Sequence, residues 1–148
     1  MIRAAALCLL CLPGAAAAQT YSPCDDYRSS AFALAEPWED NTMTLADGAV
    51  RLAILDTGEP AAGSFFLMVI APSTDEMEGQ LCTLISLDES MGFASLTLEG
   101  SAIAGDLTSG LVVTLPATRW LPDTDTYTPA KLTITRDAST AALTAMLE

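Results

Sequence analysis

"VRLAILDTGEPAAGSFFLMVIA", Val50 to Ala71, decides the fold. Val50, Leu52 and Ile54 point one way and Arg51 and Ala53 the other, the period of two that an extended strand produces. From Ser64 to Ala71 the chain is apolar at nearly every position, which predicts a central strand covered on both faces. Between the two runs, Asp56-Thr57-Gly58-Glu59-Pro60 has the composition of a turn. The same grammar extends in both directions. Upstream, Thr42 to Leu45 precedes "ADGA", where Asp47-Gly48 is a hairpin signal. Downstream come "QLCTLISL" (80–87), "FASLTLE" (93–99), "GLVVTLP" (110–116), "AKLTITR" (130–136) and "AALTAML" (141–147), separated by turns such as "DESMG" and "DAST". The expectation is an all-β antiparallel sandwich of seven or eight short strands, with a small β-barrel as the alternative closure.

Residues 25–36 carry two patterns. Tyr27, Ala31, Leu34 and Trp38 share a helical face, with Asp25 or Asp26 placed as N-cap. Phe32 and Leu34, alternating with alanines, instead suit a strand, and the β character of the rest favours that reading.

The N-terminus, "MIRAAALCLLCLPGAAAAQT", has the order of an export signal. Arg3 supplies the charge, Ala4 to Leu12 the apolar core and Pro13-Gly14 the break. Ala16-Ala17-Ala18 give the small-x-small cleavage signature before Gln19. The apolar run is far shorter than the roughly 20 residues of a membrane span. Residues 1–18 are therefore read as a signal peptide and 19–148 as a single β-domain, periplasmic or secreted. Cys8 and Cys11 have CxxC spacing but fall in the discarded segment. The remaining two cysteines, Cys24 and Cys82, are expected to form one disulfide, as an oxidising compartment favours.

Nineteen acidic residues stand against six basic ones in 148, for a net charge of −13. Loss of Arg3 with the leader makes the remainder one charge more negative still. Nucleic acids and anionic membranes need clustered Lys and Arg, and this chain has one lysine, Lys131. The expected partner is a protein or small molecule, with no nucleic acid, no membrane span and no cofactor. Little lysine and asparagine with much alanine points to a GC-rich bacterial genome.

Taken together, "EPWEDNT", "RLAILDTGEPAAGSFFLMVIAP", "DEMEGQLC" and "AKLTITRDASTAALTAML" resemble a group of small uncharacterised secreted β-proteins of Gram-negative bacteria. The resemblance implies one exported β-domain and no activity.

There is no histidine, which removes Ser-His-Asp and Cys-His catalysis and the common zinc-hydrolase sites. A Ser-Lys dyad would have to use Lys131, which reads as an exposed strand residue. Asp123 and Asp125 in "PDTDTYTP" have an i, i+2 spacing that suits a hard cation. The EF-hand positions that should follow hold Thr128 and Ile134 instead of glycine and glutamate, so that loop is excluded. A weaker site would need Asp75, Glu76 and Glu78 from another turn, and solvated acidic turns are the default. Trp38 and Trp120 are the candidate binding aromatics, although rings of that area are more often buried.

One motif offers catalysis. An apolar strand ending in Asp-Thr-Gly is how single-domain, dimeric aspartic proteases of the retroviral type present a carboxylate that shares a proton with its mate. In that reading Asp56 is the acid-base, and Thr57 and Gly58 shape its loop. Against it, Glu59-Pro60 follow where those enzymes have Ala or Ser. "LVVTLPATRW" also lacks the glycine that should close their second apolar segment. Asp56 and Gly58 read better as turn residues. The expectation is thus an exported non-enzymatic binding or accessory protein. Inhibition of a secreted hydrolase is the first alternative and the Asp56 protease the second.

Overall fold

The computed structural model describes residues 17–75 and 77–148. Most of residues 1–18, read from the sequence as a signal peptide, lies outside them together with Cys8 and Cys11, as does Glu76. Among the described residues no helix is long and apolar enough to cross a membrane. In chain order the elements are β1 (Ala17–Ala18), β2 (Thr20–Pro23), a one-turn helix α1 (Trp38–Asn41), β3 (Thr42–Leu45), β4 (Val50–Asp56), β5 (Phe65–Pro72) and β6 (Gln80–Ser86). They continue with β7 (Ser95–Leu96), β8 (Ala102–Asp106), β9 (Gly110–Leu121), β10 (Thr126–Arg136) and β11 (Leu143–Leu147).

The strands form two antiparallel sheets. One has the order β2-β6-β5-β4-β3; the other runs β1-β11-β10-β9, with β7 and β8 sharing the far edge of β9. The sheets stay separate, so the architecture is the expected sandwich and the barrel alternative falls. Val50, Leu52 and Ile54 of β4, Leu67 and Val69 of β5, Val113 and Leu115 of β9, and Leu132 and Ile134 of β10 meet in one core. The β9–β10 sheet alternates buried and wetter positions, as a sheet with one solvated face should. On that outer face the hydroxyls of Thr114 and Thr133 pair across the strands at 3.2 Å.

The first sheet is different, and "LAIL" shows why. Leu52 to Leu55 are all buried, so both faces of β4 are covered. Ala53, Leu55, Phe66 and Leu84 point away from the main core and meet Ala33, with Cys24 and Leu34 at the margin. The segment between β2 and α1 therefore lies across the outer face of this sheet. Its anchor is the Cys24–Cys82 disulfide, with Cα atoms 5.5 Å apart. A second anchor is Arg28, whose guanidinium sits 5.4 Å from the centre of the Phe66 ring and pairs with Asp26 at 2.6 Å. The hydrogen bond from Arg28 holds the Asp26 carboxyl below its ordinary range, and the same contact raises the Arg28 pKa.

Four sequence expectations need correction. Residues 25–36 form neither a helix nor a strand. They make two short 3₁₀ turns, Tyr27–Ser29 and Ala31–Ala33, the first capped by the Asp26 side chain accepting from the Arg28 N–H at 2.9 Å. Among the described residues the strand count is eleven, because "SAIAGD", poor in β-branched residues, supplies β8, and residues 17–23 supply β1 and β2. "FASLTLE" contributes only Ser95–Leu96 as strand. Finally, β9 runs on through Pro116 to Leu121 and β10 begins at Thr126, so "PDTD" is the tip of one long hairpin. By contrast, "ADGA" makes the expected β3–β4 turn, with Ala46, Asp47 and Gly48 all at positive φ.

Gly92 marks a close crossing of backbones. A Cβ there would stand 2.2 Å from the Phe65 carbonyl oxygen, because Phe93 pairs with Phe65 through two backbone hydrogen bonds. The loop after β4 is thereby pinned, and with it the position of Asp56.

Candidate functional site

Asp56 is the last residue of β4, paired with Phe65, and it is exposed. By strand parity it belongs to the core face, but the strand ends there and the carboxylate turns to solvent. Its Oδ1 accepts from the Gly58 N–H at 2.9 Å, a local Asx turn that Gly58 permits with φ at +72°. Thr57 donates its hydroxyl to the Glu59 carbonyl at 2.7 Å, and its N–H bonds the Ser64 carbonyl at 3.1 Å. Asp-Thr-Gly thus has a complete structural account as the start of the β4–β5 loop.

The segment before α1 runs beside this strand end. Leu34 bridges Leu55, and the Ala35 N–H donates to the Ile54 carbonyl at 3.0 Å. Ala33 and Ala35 are buried and Leu34 is partly buried between them, whereas Phe32 and Glu36 on either side are exposed. Phe32 is 99% exposed. Pro37 then starts the single turn of α1, which closes on itself. Asn41 Nδ2 donates to the Pro37 carbonyl at 3.0 Å and the Thr42 hydroxyl to the Trp38 carbonyl at 2.8 Å. That turn has no buried residue, and Trp38 remains 56% exposed.

Phe32, Leu34, Glu36, Trp38 and Asp56 line one open hollow of about 530 Å³. Two sequence candidates from different readings, Trp38 and Asp56, are therefore brought together. The hollow has an aromatic wall and carboxylates at its margin. Arg28, the cation of the same segment, is already engaged by Asp26.

Neither protein-family models, nor curated proteins, nor solved structures match the chain. The chemistry of the surface is what remains to be read, and it is plain. Ordinary monomer surfaces scatter single apolar residues; here a fully exposed Phe and a half-exposed Trp converge on one depression. Such a wall takes an apolar or aromatic group, and a cation over the indole face gains from the ring quadrupole and from nearby carboxylates.

The other candidates lie elsewhere. Trp120 is half-buried opposite Tyr127, and its Nε1 donates to Asp125 Oδ1 at 3.1 Å across the hairpin tip. That bond occupies one oxygen of the Asp123, Asp125 pair. In the other acidic turn, Glu78 accepts from the Ser73 hydroxyl and Asp75 from the Met77 N–H. No three His, Cys, Asp or Glu side chains converge among the described residues. Lys131 is exposed on β10. Sequence reasoning missed Phe32, because a strand reading of 25–36 buries it with Leu34. The usable signal was Ser30 and Pro37 around a short alanine-flanked run, too short for either regular element.

Proposed function

We propose that this chain is an exported, non-enzymatic binding protein whose contact surface is the Phe32–Trp38–Asp56 hollow. The ligand class that fits is a protein or peptide segment presenting an apolar side chain next to Lys or Arg. One observation carries the reading: the almost complete exposure of Phe32 beside Trp38, on a segment otherwise anchored by a disulfide and an ion pair. Exposed aromatics on a rigid base are the usual anchors of protein interfaces, since little side-chain entropy is lost on contact. The leader-like N-terminus and the disulfide support export.

The test uses a peptide array in which Lys or Arg flanks Leu, Phe or Trp. Binding is followed by Trp38 fluorescence in a Trp120→Phe background. Trp38→Ala, checked on the same array by a labelled peptide, should weaken the best binder by roughly 30-fold. Phe32→Ala should act in the same direction. An array without a binder, or affinities equal in all variants, overturns the proposal.

A further inference from the structure

Gln19 joins β1 in one sheet to β2 in the other and is only 4% exposed. Both its side-chain amide atoms, Nε2 and Oε1, are buried without a hydrogen-bond partner among the described residues. A buried carboxamide with neither donor nor acceptor met is unfavourable, and in folded proteins such groups call for an explanation. The leader reading supplies a chemical one, because it places the processing site between Ala18 and Gln19.

We propose that Gln19, once leader removal makes it N-terminal, closes to pyroglutamate, and that this lactam is the buried N-terminus of the mature protein. The proposal rests on the leader reading. A leader peptidase first hydrolyses the Ala18–Gln19 bond with water and frees the α-amine. The α-nitrogen then attacks the side-chain carbon Cδ, the Cδ–Nε2 bond breaks, and one proton passes from the α-nitrogen to Nε2, which leaves as ammonia. The step is an intramolecular acyl transfer and needs no oxidant or reductant.

The fold favours the product over the open form. A free α-amine, with an ordinary pKa of about 8, would carry its charge at a residue that, with the leader attached, is almost wholly removed from water. The lactam replaces that ammonium with a neutral N–H. It also expels Nε2, one of the two unmet polar atoms. Loss of Ala17 and Ala18 takes away the two pairings of β1 with Met146 and Leu147. The Tyr21 hydroxyl still holds the neighbouring Ala145 backbone.

The full chain should be exported from a Gram-negative host and its N-terminal peptide mapped by mass spectrometry. The expected peptide begins at Gln19, is lighter by one ammonia and has no reactive α-amine. A peptide that begins at Gln19 with full mass and a free amine overturns the cyclisation and leaves the leader reading standing. A start at any other residue overturns both. Pyroglutamyl peptidase gives the second readout. It should remove the ring from the denatured, reduced chain and spare the native protein, and equal removal from both overturns the buried position.

Discussion

The Tyr21 hydroxyl serves both backbone groups of Ala145, donating to its carbonyl at 3.3 Å and accepting from its N–H. Tyr21 stands on the edge strand of one sheet and Ala145 on β11 of the other, so one phenol joins the two sheets at their edges. An edge residue with open N–H and C=O is a template for pairing with another chain. Tyr21→Phe keeps the ring and removes only the oxygen. It should lower stability by about 1 kcal/mol, the net worth of an exposed hydrogen-bonded group. Urea unfolding measures this, and an unchanged midpoint would show that the hydroxyl contributes nothing.

The disulfide holds a segment with little core of its own. Cys24 and Cys82 are 58 residues apart, and the stretch after Cys24 covers Phe66 and Leu84 with little more than Ala33 and Leu34, with the Arg28 guanidinium over the Phe66 ring. Cys24→Ser with Cys82→Ser should cost roughly 4 kcal/mol in the chain-entropy view. Backbone amides of 25–35 should exchange faster than those of β9 and β10. Uniform acceleration along the chain would mean that the segment is not a separate, disulfide-dependent layer.

How far the sequence carries is visible in these same residues. Period two, Asp47-Gly48 and the unbroken run in β5 specify two packed sheets, because they reflect strand pleat and turn chemistry that act locally. Asp56 was legible as a dilemma: its parity pointed to the core, and its charge forbade burial without a partner. Strand termination and the Gly58 N–H resolve it. Residues 25–36 were not legible, since their placement comes from non-local terms, a disulfide to β6 and a cation over Phe66. The hollow was half legible. Trp38 and Asp56 were both singled out, but nothing in their spacing shows that Leu34 would bridge Leu55 and set them on one surface.

Acid should weaken the fold through its hairpin turns. Asp106 Oδ1 accepts from the hydroxyl and N–H of Thr108 and of Ser109, the Thr108 hydroxyl first among them, and its pKa falls from 3.8 to about 2. In the β10–β11 turn Asp137 makes the same set of bonds to Ser139 and Thr140, and its carboxyl is held lower still. Both folded-state values lie below the unfolded one. Their stabilisation is therefore complete above about pH 4 and is lost as pH falls through the folded values. Thermal melts should show a drop in Tm between about pH 4 and pH 2 that is smaller in Asp106→Asn/Asp137→Asn. Parallel acid limbs in variant and wild type would place the acid sensitivity elsewhere.

Asp56→Asn separates the two roles offered by the Asp-Thr-Gly motif. Asparagine can still accept from the Gly58 N–H through its side-chain oxygen, so the Asx turn survives and stability should change by less than about 0.5 kcal/mol. A proton-sharing catalytic carboxylate tolerates no such exchange. Wild type and variant should give the same casein turnover at acid pH, whereas affinity for Lys- or Arg-bearing peptides should fall in the variant because one carboxylate leaves the hollow. Acid proteolysis present in the wild type and absent in Asp56→Asn would reverse the assignment. Trp38→Phe is the informative companion. It keeps an aromatic wall with a weaker ring quadrupole, so it should retain apolar binding and lose part of the preference for a flanking cation.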